Sequence, residues 1–108
     1  MRVAITGATG LFGRGLVAAF STRHEVFPLT RAEADITDVA AIGAALGRIQ
    51  PDLVVHPAGI PDIDLCDADP AQAFRVNYEG TCNVANAARR VGAGLVHIST
   101  DAQPKRPP

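Results

Sequence analysis

The chain has 108 residues, with ten Lys or Arg, eleven Asp or Glu and a formal net charge of −1. This length allows one domain, and the balanced charge gives no electrostatic footprint for nucleic acid or an anionic membrane surface. No apolar stretch approaches the roughly 20 residues of a membrane span. We therefore expect a small cytoplasmic domain with neither nucleic acid nor membrane as a partner. Its two cysteines, Cys66 and Cys82, lack a metal-type spacing and are expected to be reduced and at least partly buried.

The first predicted element is a strand over Arg2–Thr6, which leads directly into Gly7, Gly10 and Gly13 and then into a predicted helix over Leu11–Ser21. Dinucleotide-binding domains have this order at their first strand-to-helix turn, where backbone N–H groups at the helix N-terminus hold a pyrophosphate. Gly7 would let the chain turn, Gly10 would let the phosphates come close, and Gly13 would let the helix pack closely on the sheet. Glycines can also mark a plain tight turn, but their place between a strand and a helix favours dinucleotide binding.

The later elements alternate strand and helix, which predicts an α/β fold with a Rossmann-type, doubly wound parallel sheet, incomplete at about four strands. Pro28 cannot donate to a strand ladder, which favours an edge strand or a strand end there. The predicted strands are His24–Leu29, Leu53–His56 and Leu95–Ser99. One predicted helix starts after Thr37 as its N-cap and ends at Pro51. Another starts at Pro70 after Asp69 as its N-cap, runs to about Val91 and is closed by Gly92.

Five segments carry a resemblance to a known family. The chain resembles the extended short-chain dehydrogenase/reductase superfamily and, within it, the dTDP-4-dehydrorhamnose reductase group of sugar-nucleotide enzymes. The resemblance implies an NAD(P)-binding domain over residues 1–101. The Pro-rich composition of residues 102–108 predicts a disordered tail instead of the family's next loop and helix. The segments are TGATGLFG (6–13), LTRAEADITD (29–38), PDLVVHPAG (51–59), VNYEGT (76–81) and LVHISTD (95–101).

The resemblance also implies a set of cofactor-binding residues and a sugar-nucleotide substrate for the full-length family. The glycine-rich turn would hold the pyrophosphate, the segment after the second strand would lie beside the adenosine, and the end of the third strand would border the cofactor. The implied residues are Gly7, Thr9, Gly10, Leu11, Phe12 and Gly13 in the turn, Arg31 at the ribose, Asp35 and Ile36 at the adenine, and Ala58 and Gly59 at the third strand.

The segment after the second strand also bears on the choice of cofactor. An acidic residue at the tip of that strand would bind the ribose 2′-hydroxyl and repel a 2′-phosphate. This chain has Arg31 there, whose fork of donors suits a phosphate, although Glu33 is close by. We therefore expect NADP(H) to be preferred, with NAD(H) as the other possible cofactor.

The catalytic set of the family is incomplete in this sequence. Thr100 matches the hydroxyl residue of a Ser/Thr–Tyr–Lys set, with Ser99 as the fallback. The expected Tyr-x-x-x-Lys pair is absent, because the single tyrosine, Tyr78, is followed four residues later by Cys82. We expect the N-terminal part of a longer reductase, inactive alone. The alternatives are a non-catalytic nucleotide-binding regulatory module and a fragment of an NAD-dependent sugar-nucleotide epimerase.

Three remaining features concern metals, a histidine and the sheet edge. An acidic loop after the third strand lacks the Gly and Glu of a calcium loop, so we expect a solvated loop and no metal site. His56 ends an apolar strand, and such a residue is more typically packed or solvated than a ligand. The strand order that the resemblance implies puts the fourth strand at an exposed edge, through which the chain could self-associate. The loop carboxylates are Asp62, Asp64, Asp67 and Asp69, and the edge residues are Leu95, Val96 and Ile98.

Overall fold

The computed structural model describes residues 1–57, 70–71 and 75–98, without the side chains of Leu11, Arg75 and Val76. The described part is a four-stranded parallel sheet with helices on both faces, so the predicted α/β fold is confirmed. In chain order the elements are β1 (Arg2–Ile5), α1 (Leu11–Ser21), β2 (Glu25–Pro28), α2 (Val39–Ile49), β3 (Leu53–His56), a π-helical turn (Arg75–Glu79), α3 (Gly80–Arg90) and β4 (Gly94–His97).

The strand order is β2-β1-β3-β4, and every neighbouring pair is parallel. The chain moves from β1 to β2 on one side and then returns past β1 to β3 on the other. The sheet therefore has its topological switch point between the carboxyl ends of β1 and β3, where α/β folds bind ligands. Pro28 is the last residue of the edge strand β2, as its missing N–H predicts.

Side chains of the two central strands alternate between two apolar layers. Val3 and Ile5 of β1 pack with Val55 on the face covered by α1, whose Leu16, Val17 and Phe20 lie against them. Ala4 and Val54 face the other side, where α2 and α3 supply the remaining core. The strands are therefore buried on both faces, as continuous apolar runs in parallel sheets predict. That second layer also contains Ile42, Ala45, Leu46, Val84, Ala87 and Ala88.

The N-cap of α2 is Asp38, so the prediction of Thr37 was wrong by one residue. One carboxylate oxygen of Asp38 accepts hydrogen bonds from the backbone N–H groups of Ala40 and Ala41 at 3.0 and 3.2 Å. The Thr37 hydroxyl is already used, since it donates to Oδ1 of Asp35 at 2.7 Å. The free carboxylate next in the chain therefore caps the helix.

The helix expected from residue 70 to 91 differs from the structure in its first half. Residues 75–79 form a π-helical turn, and α3 begins at Gly80, where an added Cβ would lie 2.6 Å from Cδ1 of Ile36. Gly92 has a φ of +73°, so its predicted role in closing this helix is confirmed. The expected cap at Asp69 lies outside the described residues.

The edge strand β4 is exposed along its length, as the sequence predicts. Leu95 is 37% exposed and Val96 is 45% exposed. Ile98 differs from the expectation, because it is only partly exposed and packs against the layer under α1. Cys82 is exposed, so the expectation that it is at least partly buried was wrong. Within the described ranges, no helix is long and apolar enough to cross a bilayer.

Gly13 allows the start of α1 to lie against the turn that follows β1. A Cβ on Gly13 would be 1.9 Å from the carbonyl oxygen of Gly7 and 2.9 Å from Cα of Ala8. The close contact predicted for this glycine is therefore with the turn backbone, rather than with the sheet itself. In contrast, a Cβ on Gly15, two residues later in the same helix, would meet nothing within 4 Å.

We expect Gly13→Ala to lower the free energy of unfolding by about 1–3 kcal/mol or more, because the new methyl overlaps backbone that cannot move independently. Gly15→Ala is the matched control, and it should raise stability by about 0.5–1 kcal/mol through the higher helix propensity of alanine. Urea unfolding followed by circular dichroism measures both. Equal effects of the two substitutions would contradict the close approach.

Candidate functional site

The candidate site begins at the glycine turn, at the switch point of the sheet. Gly7 has a φ of +58°, which favours glycine, and its carbonyl accepts from the N–H of Gly10 at 3.0 Å. Gly10 is the N-cap of α1 and has no side chain to accept from the first N–H groups of the helix. No acidic residue lies in that first turn. These N–H groups and the helix dipole are therefore available to an anion such as a pyrophosphate.

The other predicted turn residues fall at the same place in the structure. Thr9 is exposed and Leu11 begins α1, although its side chain is not described. The Phe12 side chain is 46% exposed. The N–H of Ala8 donates to the carbonyl of Leu29 at 3.2 Å. This bond connects the glycine turn to the segment of residues 29–37, which we call the adenosine loop after its predicted contact.

Charged side chains of the adenosine loop are paired within the loop. The Arg31 side chain is 80% exposed, and its Nε lies 3.9 Å from Oδ2 of Asp35. Glu33 accepts a hydrogen bond from the Thr30 hydroxyl at 3.2 Å. Oδ1 of Asp35 accepts from both the N–H and the hydroxyl of Thr37. Arg31 is thus the exposed cation of this loop, and the nearby Glu33 carboxylate is bonded to Thr30.

Ile36 has a structural role that the sequence did not predict. Its side chain is 8% exposed and belongs to the core under α2 and α3. Its carbonyl oxygen accepts a hydrogen bond from Nδ2 of Asn83 at 2.8 Å, and its side chain lies over Gly80. The adenosine loop is therefore fixed in position by α3.

His56 is the unexpected centre of this edge of the sheet. Of the two environments expected for His56, packed or solvated, the structure shows the packed one, since the residue is fully buried at the carboxyl end of β3. Its Nδ1 lies 2.6 Å from the hydroxyl of Thr6, and its Nε2 lies 3.0 Å from the hydroxyl of Thr81. Thr6 is the residue before Gly7 and is itself 1% exposed. The sequence contained one indication of this pair, because Thr6 and His56 are each the polar residue that ends an apolar strand segment.

The hydrogen bonds around His56 select one tautomer. The Thr81 hydroxyl donates to the carbonyl of Asn77 at 2.7 Å, so its oxygen accepts from Nε2–H of His56. With Nε2 protonated, Nδ1 is the acceptor and the Thr6 hydroxyl donates to it. Each donor in this series of three hydrogen bonds thus has one acceptor, and both nitrogens of the neutral His56 ring have a partner.

A second histidine lies against the first. The His97 ring, at the end of β4, stacks on His56 with a centroid distance of 5.2 Å and an interplanar angle of 26°. Burial, and secondarily the charge of His97, lower the pKa of His56 to about 4. Both effects oppose protonation of the ring, which agrees with the neutral tautomer that the hydrogen bonds require.

Several predicted site residues lie outside the described residues: Ala58, Gly59, Ser99, Thr100 and the acidic loop Asp62, Asp64, Asp67 and Asp69. In residues 1–57, 70–71 and 75–98, no three His, Cys, Asp or Glu side chains come together in a way that could hold a metal ion. The described site is therefore the glycine turn, the adenosine loop and the His56 cluster.

Comparison with known proteins agrees with the resemblance carried by the five sequence segments. A family model described as RmlD substrate binding domain matches residues 1–102. A dTDP-4-dehydrorhamnose reductase from Streptomyces griseus is 41% identical over 98 residues, which cover 90% of this chain and 32% of that protein. A dTDP-4-dehydrorhamnose reductase from Bacillus anthracis, crystallised in complex with NADP, matches with a TM-score of 0.86 at 34% identity, over 93% of this chain and 36% of that one.

An epimerase has a similar fold. The UDP-glucose 4-epimerase of Thermus thermophilus, in complex with NAD, matches with a TM-score of 0.82 at 27% identity, over 88% of this chain and 36% of that one. The chain thus spans about a third of the length of the relatives it matches.

We expect the stability of the chain to fall as the pH is lowered from 7 to 4. The unfolded His56 ring binds a proton near pH 6.5, whereas the folded ring, with its pKa lowered to about 4, does not. Its contribution is therefore fully present above pH 6.5, and it is lost progressively down to pH 4, by on the order of 3 kcal/mol.

Urea unfolding at several pH values measures this loss, and His56→Asn is the control that removes the titrating ring. The variant should be less stable at pH 7 and should have a flatter pH dependence between 6.5 and 4. Parallel pH profiles for the wild type and the variant would contradict the assignment.

Proposed function

The chain belongs to the RmlD substrate binding domain family, and on that premise we propose that it forms the NADP(H)-binding region of a reductase for a 4-keto sugar nucleotide. The observation that carries this proposal is the glycine turn, with its positive φ at Gly7 and its close contact with α1. The turn presents helix N–H groups at the switch point of a parallel sheet, where a pyrophosphate is bound in folds of this kind. We also propose that the chain is located in the cytoplasm.

Each part of the site has a proposed role. The turn of Gly7, Thr9, Gly10, Leu11, Phe12 and Gly13 binds the pyrophosphate, the adenosine loop binds the adenosine through Arg31, Asp35 and Ile36, and Ala58 and Gly59 border the cofactor. The bound cofactor supplies a hydride to the keto carbon of the sugar. Thr100 donates a hydrogen bond to the oxygen that becomes negative as the hydride arrives.

We propose NADP(H) rather than NAD(H) as the preferred cofactor because of Arg31. Its side chain is 80% exposed, and Arg31 lies two residues after Leu29, whose carbonyl accepts the hydrogen bond from Ala8 in the glycine turn. The Glu33 carboxylate, which would repel a 2′-phosphate, is oriented towards Thr30 by a hydrogen bond that it accepts from the Thr30 hydroxyl. The NADP complex of the Bacillus anthracis relative supports the same choice.

We expect Arg31→Ala to weaken NADPH binding about tenfold and to leave NADH binding nearly unchanged, because a charge-assisted bond to the 2′-phosphate is lost. Arg48→Ala is the matched control, since Arg48 is in the last turn of α2, near the amino-terminal end of β1 and away from the proposed site. Isothermal titration of both cofactors into the three proteins gives the dissociation constants. Equal NADPH affinity in wild type and Arg31→Ala would overturn the assignment.

We expect the 108-residue chain alone to give no reduction of dTDP-4-dehydro-6-deoxy-L-mannose above the uncatalysed rate. The product oxygen needs a proton, and a positioned general acid contributes about 10²–10⁴ in rate. A threonine hydroxyl is a poor acid at neutral pH, and the sequence has no Tyr-x-x-x-Lys pair to provide a better one. NADPH absorbance measures the rate, with a full-length relative as the positive control. Turnover that is lost in Thr100→Val would contradict this expectation.

A second function is a nucleotide-binding module that regulates another protein. The observation that favours it is the placement of the single tyrosine, Tyr78, in the π-helical turn before α3, upstream of Thr100. Such a module binds NADPH with the same glycine turn but catalyses no reduction, either alone or together with another polypeptide. Activity on adding the remaining two thirds of a full-length relative as a separate polypeptide would exclude it.

We propose that isolated chains associate with one another through β4. Leu95 and Val96 lie beside Val54 and Val55 on the two faces of the sheet, and both are exposed. An edge strand also leaves backbone groups unpaired, and these can pair with a second copy.

We expect Val96→Lys to shift the chain towards the monomer, because edge charges oppose strand pairing. Val39→Lys is the control, since Val39 is 58% exposed at the start of α2. Size-exclusion chromatography with light scattering gives the mass of each protein. A monomeric wild-type chain would overturn the proposal.

A further inference from the structure

We propose that His56 is a positioning residue that couples the two halves of the dinucleotide site, the glycine turn and the adenosine loop. This inference rests on the proposed function and goes beyond it, because it assigns a role in cofactor affinity to a buried residue that need not touch the cofactor. Hydrogen bonds from the two ring nitrogens of His56 lead to these two halves.

The Nδ1 side of His56 leads to the glycine turn. The Thr6 hydroxyl donates to Nδ1 at 2.6 Å, and the Thr6 N–H donates to the carbonyl of Val55 at 3.1 Å. Thr6 is therefore fixed by backbone and side chain against β3. The next residue is Gly7, whose positive φ begins the turn and whose carbonyl lies against α1. A shift of the His56 ring thus displaces the first residue of the proposed pyrophosphate site.

The Nε2 side of His56 leads to the adenosine loop through α3. Nε2–H donates to the Thr81 hydroxyl in the first turn of α3. The residue before it, Gly80, lies under the Ile36 side chain, and Asn83 donates to the Ile36 carbonyl at 2.8 Å. Gly80 and Asn83, which lie on either side of Thr81 in the same helical turn, therefore hold the adenosine loop through Ile36. Ile36 is adjacent to Asp35, which pairs with Arg31.

The connection is stiff because the ring is fully buried and can satisfy both nitrogens in one arrangement only. If either threonine moves away, a buried ring nitrogen loses its partner, which is costly where water cannot replace it. The His97 ring stacked on His56 limits tilting of the imidazole. The positions of the turn and of α3 are thus linked through a single rigid side chain.

The test combines a probe for one half of the site with a substitution in the other half. Adenosine 2′-phosphate carries only the adenosine half of NADP, and Thr6→Val removes only the hydroxyl on the turn side. We expect Thr6→Val to weaken binding of this probe about three- to tenfold, and Thr81→Val to weaken NADPH by a similar factor. The matched control is Thr22→Val, whose exposed hydroxyl donates to the Ala19 carbonyl at the far end of α1. All titrations are made where circular dichroism shows the variant folded, so that a change in stability alone does not alter the dissociation constant.

The background variant His56→Leu tests whether the effect passes through the ring. In that background Thr6→Val should leave the affinity for adenosine 2′-phosphate unchanged. If His56→Leu does not fold, His56→Asn takes its place, because its shorter amide can accept from Thr6 but does not reach Thr81. Equal affinity of wild type and Thr6→Val for the probe, or the same loss in both backgrounds, would overturn the coupling.

An NMR measurement separates failure of this inference from failure of the proposed function. If the wild-type chain binds neither NADPH nor adenosine 2′-phosphate, the proposed cofactor function is wrong. The amide resonances of Gly7 and Gly10 then decide the coupling without any ligand. They should shift in Thr81→Val and not in Thr22→Val, and unchanged resonances in Thr81→Val would overturn the coupling.

Discussion

The close contact between the start of α1 and the turn after β1 is the constraint on which the rest of the structure depends. Backbone meets backbone there, because a Cβ at Gly13 would overlap the carbonyl oxygen of Gly7. The contact fixes where α1 begins and directs its first N–H groups to the carboxyl edge of the sheet. It also sets the packing of α1 over β1 and β3. One side of the core and the proposed pyrophosphate site therefore share a single geometric requirement.

The amino-terminal and carboxyl-terminal ends of the parallel strands, here the amino edge and the carboxyl edge of the sheet, are stabilised by different interactions. At the amino edge, Nε of Arg2 donates to the Ile49 carbonyl at the end of α2, and the Arg2 N–H donates to the Asp52 carboxylate at 2.7 Å. The Arg2 guanidinium stabilises the C-terminus of α2, and the Asp52 carboxylate holds the backbone at the start of β1. At the carboxyl edge, Thr6 and the neutral His56 are buried and joined by hydrogen bonds. The edge with the proposed site thus relies on buried polar groups that tolerate little displacement.

Local features were predictable from the sequence and contacts between distant residues were not. The limits of α1, Leu11–Ser21, follow from the glycine turn and the apolar spacing around it. The N-cap of α2 was misplaced by one residue because Thr37 and Asp38 are both good caps, and a bond from Thr37 to Asp35 decides between them. The partners of His56 are 25 and 50 residues away in the chain, so no spacing rule reveals them.

The strand order also has a consequence for how the chain assembles. In the pairing of β1 with β3, Ile5 lies opposite Val55, so nearly half of the 108 residues separate the two partners. Closing a loop of that length costs more conformational entropy than forming the local contacts of β1 with α1. During synthesis the glycine turn therefore emerges well before the strand that completes the switch point. Until β3 has docked, the nascent chain has the glycine turn but no crevice beside it, and β1 has one unpaired edge open to other chains.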